Sequence, residues 1–224
     1  RELAAKEPDA PRKKELEEIA DICERVPENP ARTFREALQA QWWGQMFNRI
    51  EQTSCAMGQG RMDQYLWPFY QKDIAEGRIT KESAMELLHC LWLNMAQCVE
   101  IKMNPVTAAG AEGFAKFEDV VLGGQTPDGK DATNDLTHLI LESTRALSIT
   151  CPEPCIRIHS NTPDSLLHHV AEVVKDGKGF PKLLNDEMIV PYYLANGASP
   201  KEALDWCISG CCESRLPNPE TNAT

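Results

Sequence analysis

The residues best suited to chemistry lie near the end of the 224-residue chain, in Ile208-Ser-Gly-Cys-Cys-Glu-Ser-Arg-Leu-Pro217. Gly210, just before Cys211, lets the backbone turn tightly and lets a large group approach the sulfur. Vicinal cysteines bridge only by distorting the peptide between them, so a Cys211–Cys212 disulfide is not expected. Glu213, two residues after Cys211, shares the same loop. Its charge disfavours ionisation of a neighbouring thiol, so the pair makes a poor ionic nucleophile. It suits a thiol that reacts by losing a hydrogen atom, beside a carboxylate that moves protons on a substrate. A Cys-x-Glu on its own is nearly always incidental, so the flanking chain has to decide.

Residues 10–26 read as a charged amphipathic helix with Leu16, Ile19, Ala20 and Cys23 on one side, ended by Pro27 and Pro30. Thr33, followed three residues later by Glu36, reads as a capping box opening a second helix. Residues 52–61 read as a loop, and a third, well-buried helix starts near Thr80. Phe117 to Leu122 is a strand closed by Gly123-Gly124, and Asn134 or Asp135 caps a helix to Leu147. Cys155 to His159 is a strand, followed by a helix over Leu166–Lys175 that Thr162 or Asp164 caps. Leu183-Leu184 is a short strand. Helices over 187–196 and 200–205 flank Gly197, and Cys207-Ile208-Ser209 is an apolar step into Gly210-Cys211. Strand alternating with helix predicts an α/β fold around a buried sheet.

A hydrophobic content of 42% and a charged content of 25% are those of a soluble globular protein. The net charge of −11 argues against a nucleic-acid or membrane-surface partner, and no apolar run is long enough to span a bilayer. The charged N-terminal segment does not read as a signal peptide, and without an initiator Met the chain is expected to begin mid-protein. Nine cysteines are many, but no Cys-x-x-Cys occurs, so no metal site is expected. Cys23, Cys90 and Cys98 are expected to be buried apolar-like side chains in a reducing cytoplasm.

Four landmarks change the reading of Cys211. VVLGGQTPDGKDATNDLTHLILES at 120–143 closely resembles the glycyl radical enzyme family, and so does PEPCIRIHSNTPDSLLHHVAEVVKDGKGFPKLLNDEMIVPYYLANG at 152–197. The second carries Arg-Ile-His, Thr-Pro, Gly-x-Gly-x-Pro and Asn-Asp in order. Gly60-Arg61-Met62-Asp63-Gln64-Tyr65 with Pro68-Phe69-Tyr70 resembles the family's Gly-Arg-x-Asp-Gln…Pro-Tyr-Tyr segment. The family's Gly-Cys-x-Glu then falls at Gly210 to Glu213.

The resemblance implies a fold of two five-stranded half-barrels, ten strands in all, inside a shell of helices. The active-site cysteine sits on a finger loop within that barrel. It also implies a mechanism, in which a stored glycyl radical takes a hydrogen atom from Cys211 and the thiyl radical takes one from an organic acid substrate. Glu213 acts as acid and base. A separate activating enzyme, using S-adenosylmethionine and an iron–sulfur cluster, installs the radical, and no cofactor binds these residues directly. Members are usually homodimers, some with a small accessory subunit. The Arg-Val-x-Gly-Tyr-type segment that holds the radical glycine is not among these 224 residues. Residues 1–224 are therefore expected to be an internal fragment of the pyruvate formate-lyase-like catalytic domain, without the C-terminal glycyl radical domain and not a complete catalyst alone. A non-catalytic remnant is the alternative of another class.

Within the family, adjacent cysteines are similar to the pyruvate formate-lyase pair, a formate acetyltransferase, which would place Cys212 at the substrate. Glu-Ser-Arg follows here instead of Val-Ser-Pro, so Cys212 reads better as structural. The fumarate-adding synthases of the benzylsuccinate type need no proton-moving acid, and Glu213 counts against that branch, while the alkane-using alkylsuccinate synthases stay open. Radical dehydratases more often continue as Glu-Pro. Gly-Cys-x-Glu with Ser-Arg-Leu-Pro-Asn is most like the arylacetate decarboxylases, which turn 4-hydroxyphenylacetate into a methyl arene. In that group a serine at the position of Ser54 contacts substrate, although a loop favours serine on turn chemistry alone. Arg157 and His159 read as hydrogen-bonded structural residues, His168-His169 as a partly exposed pair, and Trp42, Trp43 and Trp92 as core.

Overall fold

The computed structural model describes residues 1–51, 57–98, 118–149 and 151–217. Ser54, Cys55 and Phe117 lie outside them. Among the described residues the helices are α1 (Glu2–Lys6), α2 (Ala10–Arg25), α3 (Phe34–Glu51), α4 (Met62–Tyr65), α5 (Trp67–Ala75), α6 (Lys81–Gln97), α7 (Asp135–Leu147), α8 (Asp164–Lys175), α9 (Asp186–Ala195) and α10 (Pro200–Leu204). The strands are β1 (Asp119–Gly123), β2 (Glu153–Ile158), β3 (Lys182–Asn185), β4 (Cys207–Ser209) and β5 (Glu213–Arg215).

Chain order from β1 through α7, β2, α8 to β3 makes a parallel sheet, as the alternation of strand and helix predicts. Val121 pairs with Cys155 and Cys155 with Lys182, while Gly123 pairs with Arg157 and Arg157 with Leu184. Every residue of β1 is buried, which fits a strand covered on both faces. Period-2 alternation sorts the side chains between two cores. Val120, Leu122 and Ile156 face Leu88, Trp92, Leu139, Ile140 and Val170 of the helices. Val121 and Cys155 face Tyr193, Trp206, Cys207 and Ile208. The described residues hold three strands of this sheet and a two-stranded hairpin, β4 with β5; the ten-stranded barrel remains an expectation.

The helices follow their sequence signals with local exceptions. Asn134 caps α7: its side chain accepts from Thr137 N at 3.1 Å, and Thr137 Oγ1 accepts from Asn134 N at 3.0 Å. Thr33 Oγ1 accepts from Glu36 N, but the Glu36 carboxylate reaches back past Thr33 to Arg32 N at 2.7 Å, so the predicted box is only half formed. Neither Thr162 nor Asp164 caps α8. The N-cap is Pro163, and Thr162 Oγ1 accepts from His159 N at 2.8 Å. β5 was not foreseen, because Glu-Ser-Arg has no strand pattern of its own; it exists as the partner of β4.

The cysteine expectation needs correction. Cys90 is exposed and Cys23 and Cys98 are half-buried, whereas Cys151, Cys155 and Cys207 are buried. Cys23 and Cys90 lie on helices and Cys98 follows the end of α6, whereas Cys155 and Cys207 lie in strands β2 and β4 and Cys151 lies two residues before β2. Trp92 is core, its Nε1 donating to Ser143 Oγ at 2.7 Å, while Trp43 is half-buried and stacks on exposed Phe47. His168 is exposed, and half-buried His169 stacks on His138.

Candidate active site

Cys211 and Cys212 form the turn of the β4–β5 hairpin, and both are exposed. Gly210 enters the turn at φ +78°, a left-handed conformation that a side chain would strain. Ile208 and Cys207 anchor β4 in the core that also holds Val121, Cys155, Tyr193 and Trp206, called the inner core below, and burying Ile208 alone contributes about 1.5–3 kcal/mol. Gly58 lies under β4 so closely that a Cβ there would collide with the Ile208 carbonyl.

Glu213 turns its carboxylate back towards the hairpin turn, where Oε2 accepts from Cys212 N at 3.0 Å. That bond first, and its own N–H next, hold the carboxyl below the usual carboxylate range. The Cys211 thiol is pushed up, first by desolvation and then by the Glu213 charge. At neutral pH the pair is therefore a thiol and a carboxylate, the protonation states needed for hydrogen-atom and proton traffic.

The segment entering this hairpin is held by two arginines. Arg157 of β2 is wholly buried. Its Nε and Nη2 lie 2.7 and 2.9 Å from the two carboxylate oxygens of buried Asp186. Nη1 donates to Trp206 O at 2.8 Å and Nη2 to Leu204 O at 3.0 Å. The guanidinium also lies 4.7 Å from the centre of the Trp206 ring. Trp206 Nε1 donates to Asp186 Oδ1 at 3.0 Å, closing the network. Arg61, just before α4, donates to Leu204 O, Asp205 Oδ1, Gly123 O and Gln125 O. Gly124 leaves room for Arg157: a Cβ there would lie 2.6 Å from Nε, at φ +76°. Asp63 is buried below, accepting from Gly123 N at 2.8 Å and Thr137 Oγ1 at 2.6 Å, and burial pushes its carboxyl up.

A second polar cluster lines the same face of the sheet. Lys182 Nζ lies 2.9 Å from Asp119 Oδ1 and 2.6 Å from Glu153, and Cys155 Sγ is 3.5 Å from Asp119 Oδ1. Burial first, then the Asp119 charge, keeps Cys155 a thiol. His159 Nε2 lies 3.2 Å from Asp131 Oδ1 at the carboxyl end of β2.

The structure thus brings Cys211, Cys212 and Glu213 together, while Ser54 lies outside the described residues. Sequence reading missed Arg61, Asp186 and Trp206 as one unit with Arg157. The period of β2 puts Cys155 and Arg157 on one face, but no spacing connects them to residues 186 and 206. Among the described residues, no group of three His, Cys, Asp or Glu side chains could hold a metal ion, and no helix is long and apolar enough to cross a membrane.

The parallel sheet carries the Gly210–Cys211 hairpin on one face, and comparison with known proteins gives this arrangement a family. The pyruvate formate lyase-like family model matches residues 1–224, and the chain belongs to that family. It is 58% identical over 221 residues to the isethionate sulfite-lyase of Nitratidesulfovibrio vulgaris, covering 98% of this chain and 27% of that protein. The indoleacetate decarboxylase of Tractidigestivibacter scatoligenes is 33% identical over 213 residues, covering 92% of this chain and 24% of that protein. A glycyl radical enzyme from Archaeoglobus fulgidus superposes with a TM-score of 0.90 at 36% identity, over 96% of this chain and 28% of that one. The chain spans about a quarter of the length of these relatives.

Proposed function

We propose that the chain is the thiyl-bearing part of a glycyl radical lyase that breaks the carbon–sulfur bond of a small hydroxyalkanesulfonate such as isethionate. Cys211 is the thiyl-radical cysteine and Glu213 its acid–base partner. The observation that carries this reading is the Gly210-Cys211-x-Glu213 hairpin in a chain 58% identical to an isethionate sulfite-lyase. The decarboxylation expected from the sequence has weaker support, since the decarboxylase relative is only 33% identical. Arylacetate decarboxylation therefore gives way to the sulfite-lyase reading and is kept as the outcome the experiment has to exclude.

In this reading Cys211 gives its hydrogen atom to the stored radical, and its sulfur takes one from the hydroxyl-bearing carbon of the substrate. Glu213 accepts the hydroxyl proton. The resulting ketyl radical expels sulfite from the adjacent carbon with both electrons of the C–S bond. The carbonyl-stabilised radical left behind takes a hydrogen atom back from Cys211. For isethionate the products are acetaldehyde and sulfite. Alignment and water exclusion around the thiyl supply much of the rate. A radical S-adenosylmethionine activating enzyme and a homodimer belong to the same reading.

The full-length protein, activated anaerobically, is expected to release sulfite from isethionate and no methyl arene from 4-hydroxyphenylacetate. Methyl arene without sulfite would move the assignment to decarboxylation. Neither product, beside a full glycyl radical signal, would remove both readings.

A further inference from the structure

We propose that Arg157 and Arg61 are positioning residues for Cys211: together they clamp the segment from Leu204 to Trp206, and so set where the hairpin carries the reactive thiol. The inference rests on Cys211 being the thiyl cysteine, but its structural part can be tested without turnover.

The geometry has three parts. First, the two guanidiniums converge on one short stretch of backbone. Leu204 O accepts from Arg157 Nη2 at 3.0 Å and from Arg61 Nη1 at 3.2 Å, and Trp206 O accepts from Arg157 Nη1 at 2.8 Å. Second, each arginine is itself tied to the sheet frame. Arg157 grows from β2 and is locked by Asp186, while Arg61 Nη2 holds Gly123 O at 3.1 Å and Gln125 O at 2.8 Å, at and just beyond the end of β1. Third, little slack separates the clamp from the chemistry. β4 starts at Cys207, directly after Trp206, and Cys211 follows β4 by two residues. Gly58 packs directly against the backbone of Ile208 in β4.

A guanidinium suits this task and an ammonium does not. Arg157 spreads its donors in a plane that meets a carboxylate, two carbonyls and an indole face at once, and a lysine reproduces the charge without the fork. The same fork accounts for Gly124, where a methyl group would meet Arg157 Nε at 2.6 Å. Neither arginine has to touch substrate to act. A misplacement of about 1 Å away from the chemistry can cost about 100-fold in rate.

The test uses the full-length protein with Arg157→Lys and Arg61→Lys, read by hydrogen exchange, radical content and kinetics. The expected result is amide exchange at least about 10-fold faster across Cys207 to Arg215, with Val120 to Leu122 as protected as in the wild type. Glycyl radical per protomer and KM should stay near wild type while kcat falls about 100-fold. A merely structural role would lower radical content and sheet protection together with kcat, and that pattern would overturn the proposal. Unchanged hairpin exchange with unchanged kcat would also overturn it. If Arg157→Lys does not fold, Arg61→Lys carries the test, because it leaves the Arg157–Asp186 pair in place. Should the wild type turn over neither isethionate nor an arylacetate while the variants still loosen the hairpin selectively, the clamp stands and the lyase reading falls.

Discussion

At Cys211 two influences act in the same direction: desolvation and the Glu213 carboxylate both penalise the thiolate. A thiol so placed should alkylate slowly at neutral pH, as suits the hydrogen-atom donor we propose Cys211 to be. In a Cys212→Ser background, the alkylation midpoint of Cys211 should lie above that of an ordinary cysteine. Glu213→Gln should move it down, because the opposing charge is gone. A midpoint that Glu213→Gln leaves unmoved would separate the carboxylate from the thiol. The same substitution should cost about 10²–10⁴ in turnover while the glycyl radical signal persists. Cys211→Ser should abolish turnover, and Cys212→Ser should leave it close to wild type. Loss of turnover in Cys212→Ser would instead revive the two-cysteine chemistry of the formate-lyase kind.

At the scale of the elements, small residues and caps hold the frame under the hairpin. Gly124→Ala forces a side chain into a positive φ and against Arg157, so destabilisation of about 1–3 kcal/mol is expected in a thermal melt. Asn134→Ala removes the α7 cap and a bond to the Asp63 carbonyl, and should cost about 1 kcal/mol. β1, β2, α7 and the span of α8 were legible in the sequence because each carries its own signal, a continuous apolar run or a 3.6-residue period with a cap or glycine stop. β5 was not, since a strand of Glu, Ser and Arg forms only against β4. The candidate site divides in the same way. Gly210, Cys211 and Glu213 are neighbours in sequence and could be read directly. Arg61, Arg157, Asp186 and Trp206 meet only through the fold, and nothing local in Asn185-Asp186 indicates that this carboxylate will neutralise an arginine 29 residues earlier.

Across the described residues, one sheet serves two cores, and the two are expected to open together. The outer core joins the sheet to α3, α5, α6, α7 and α8, and the inner one joins it to α9, α10 and the hairpin. Hydrogen exchange in the wild type should therefore give Ile140 of α7 and Ile208 of β4 the same opening free energy. A lower value at Ile208 would make the hairpin an independent unit. The inner core also bears on how such a protein diversifies. In open α/β sheets the crevice beyond the carboxyl ends of the strands is where ligands bind. Here Arg157 and Arg61 hold Leu204 and Trp206 against the face of the sheet, so the segment leading to the proposed thiyl sulfur is docked on the sheet itself. A thiyl cysteine mounted this way, as we propose, would keep its place while the surrounding walls changed. On the proposed function, chemistry and choice of substrate would be carried by different parts of the protein, and either could be altered without rebuilding the other.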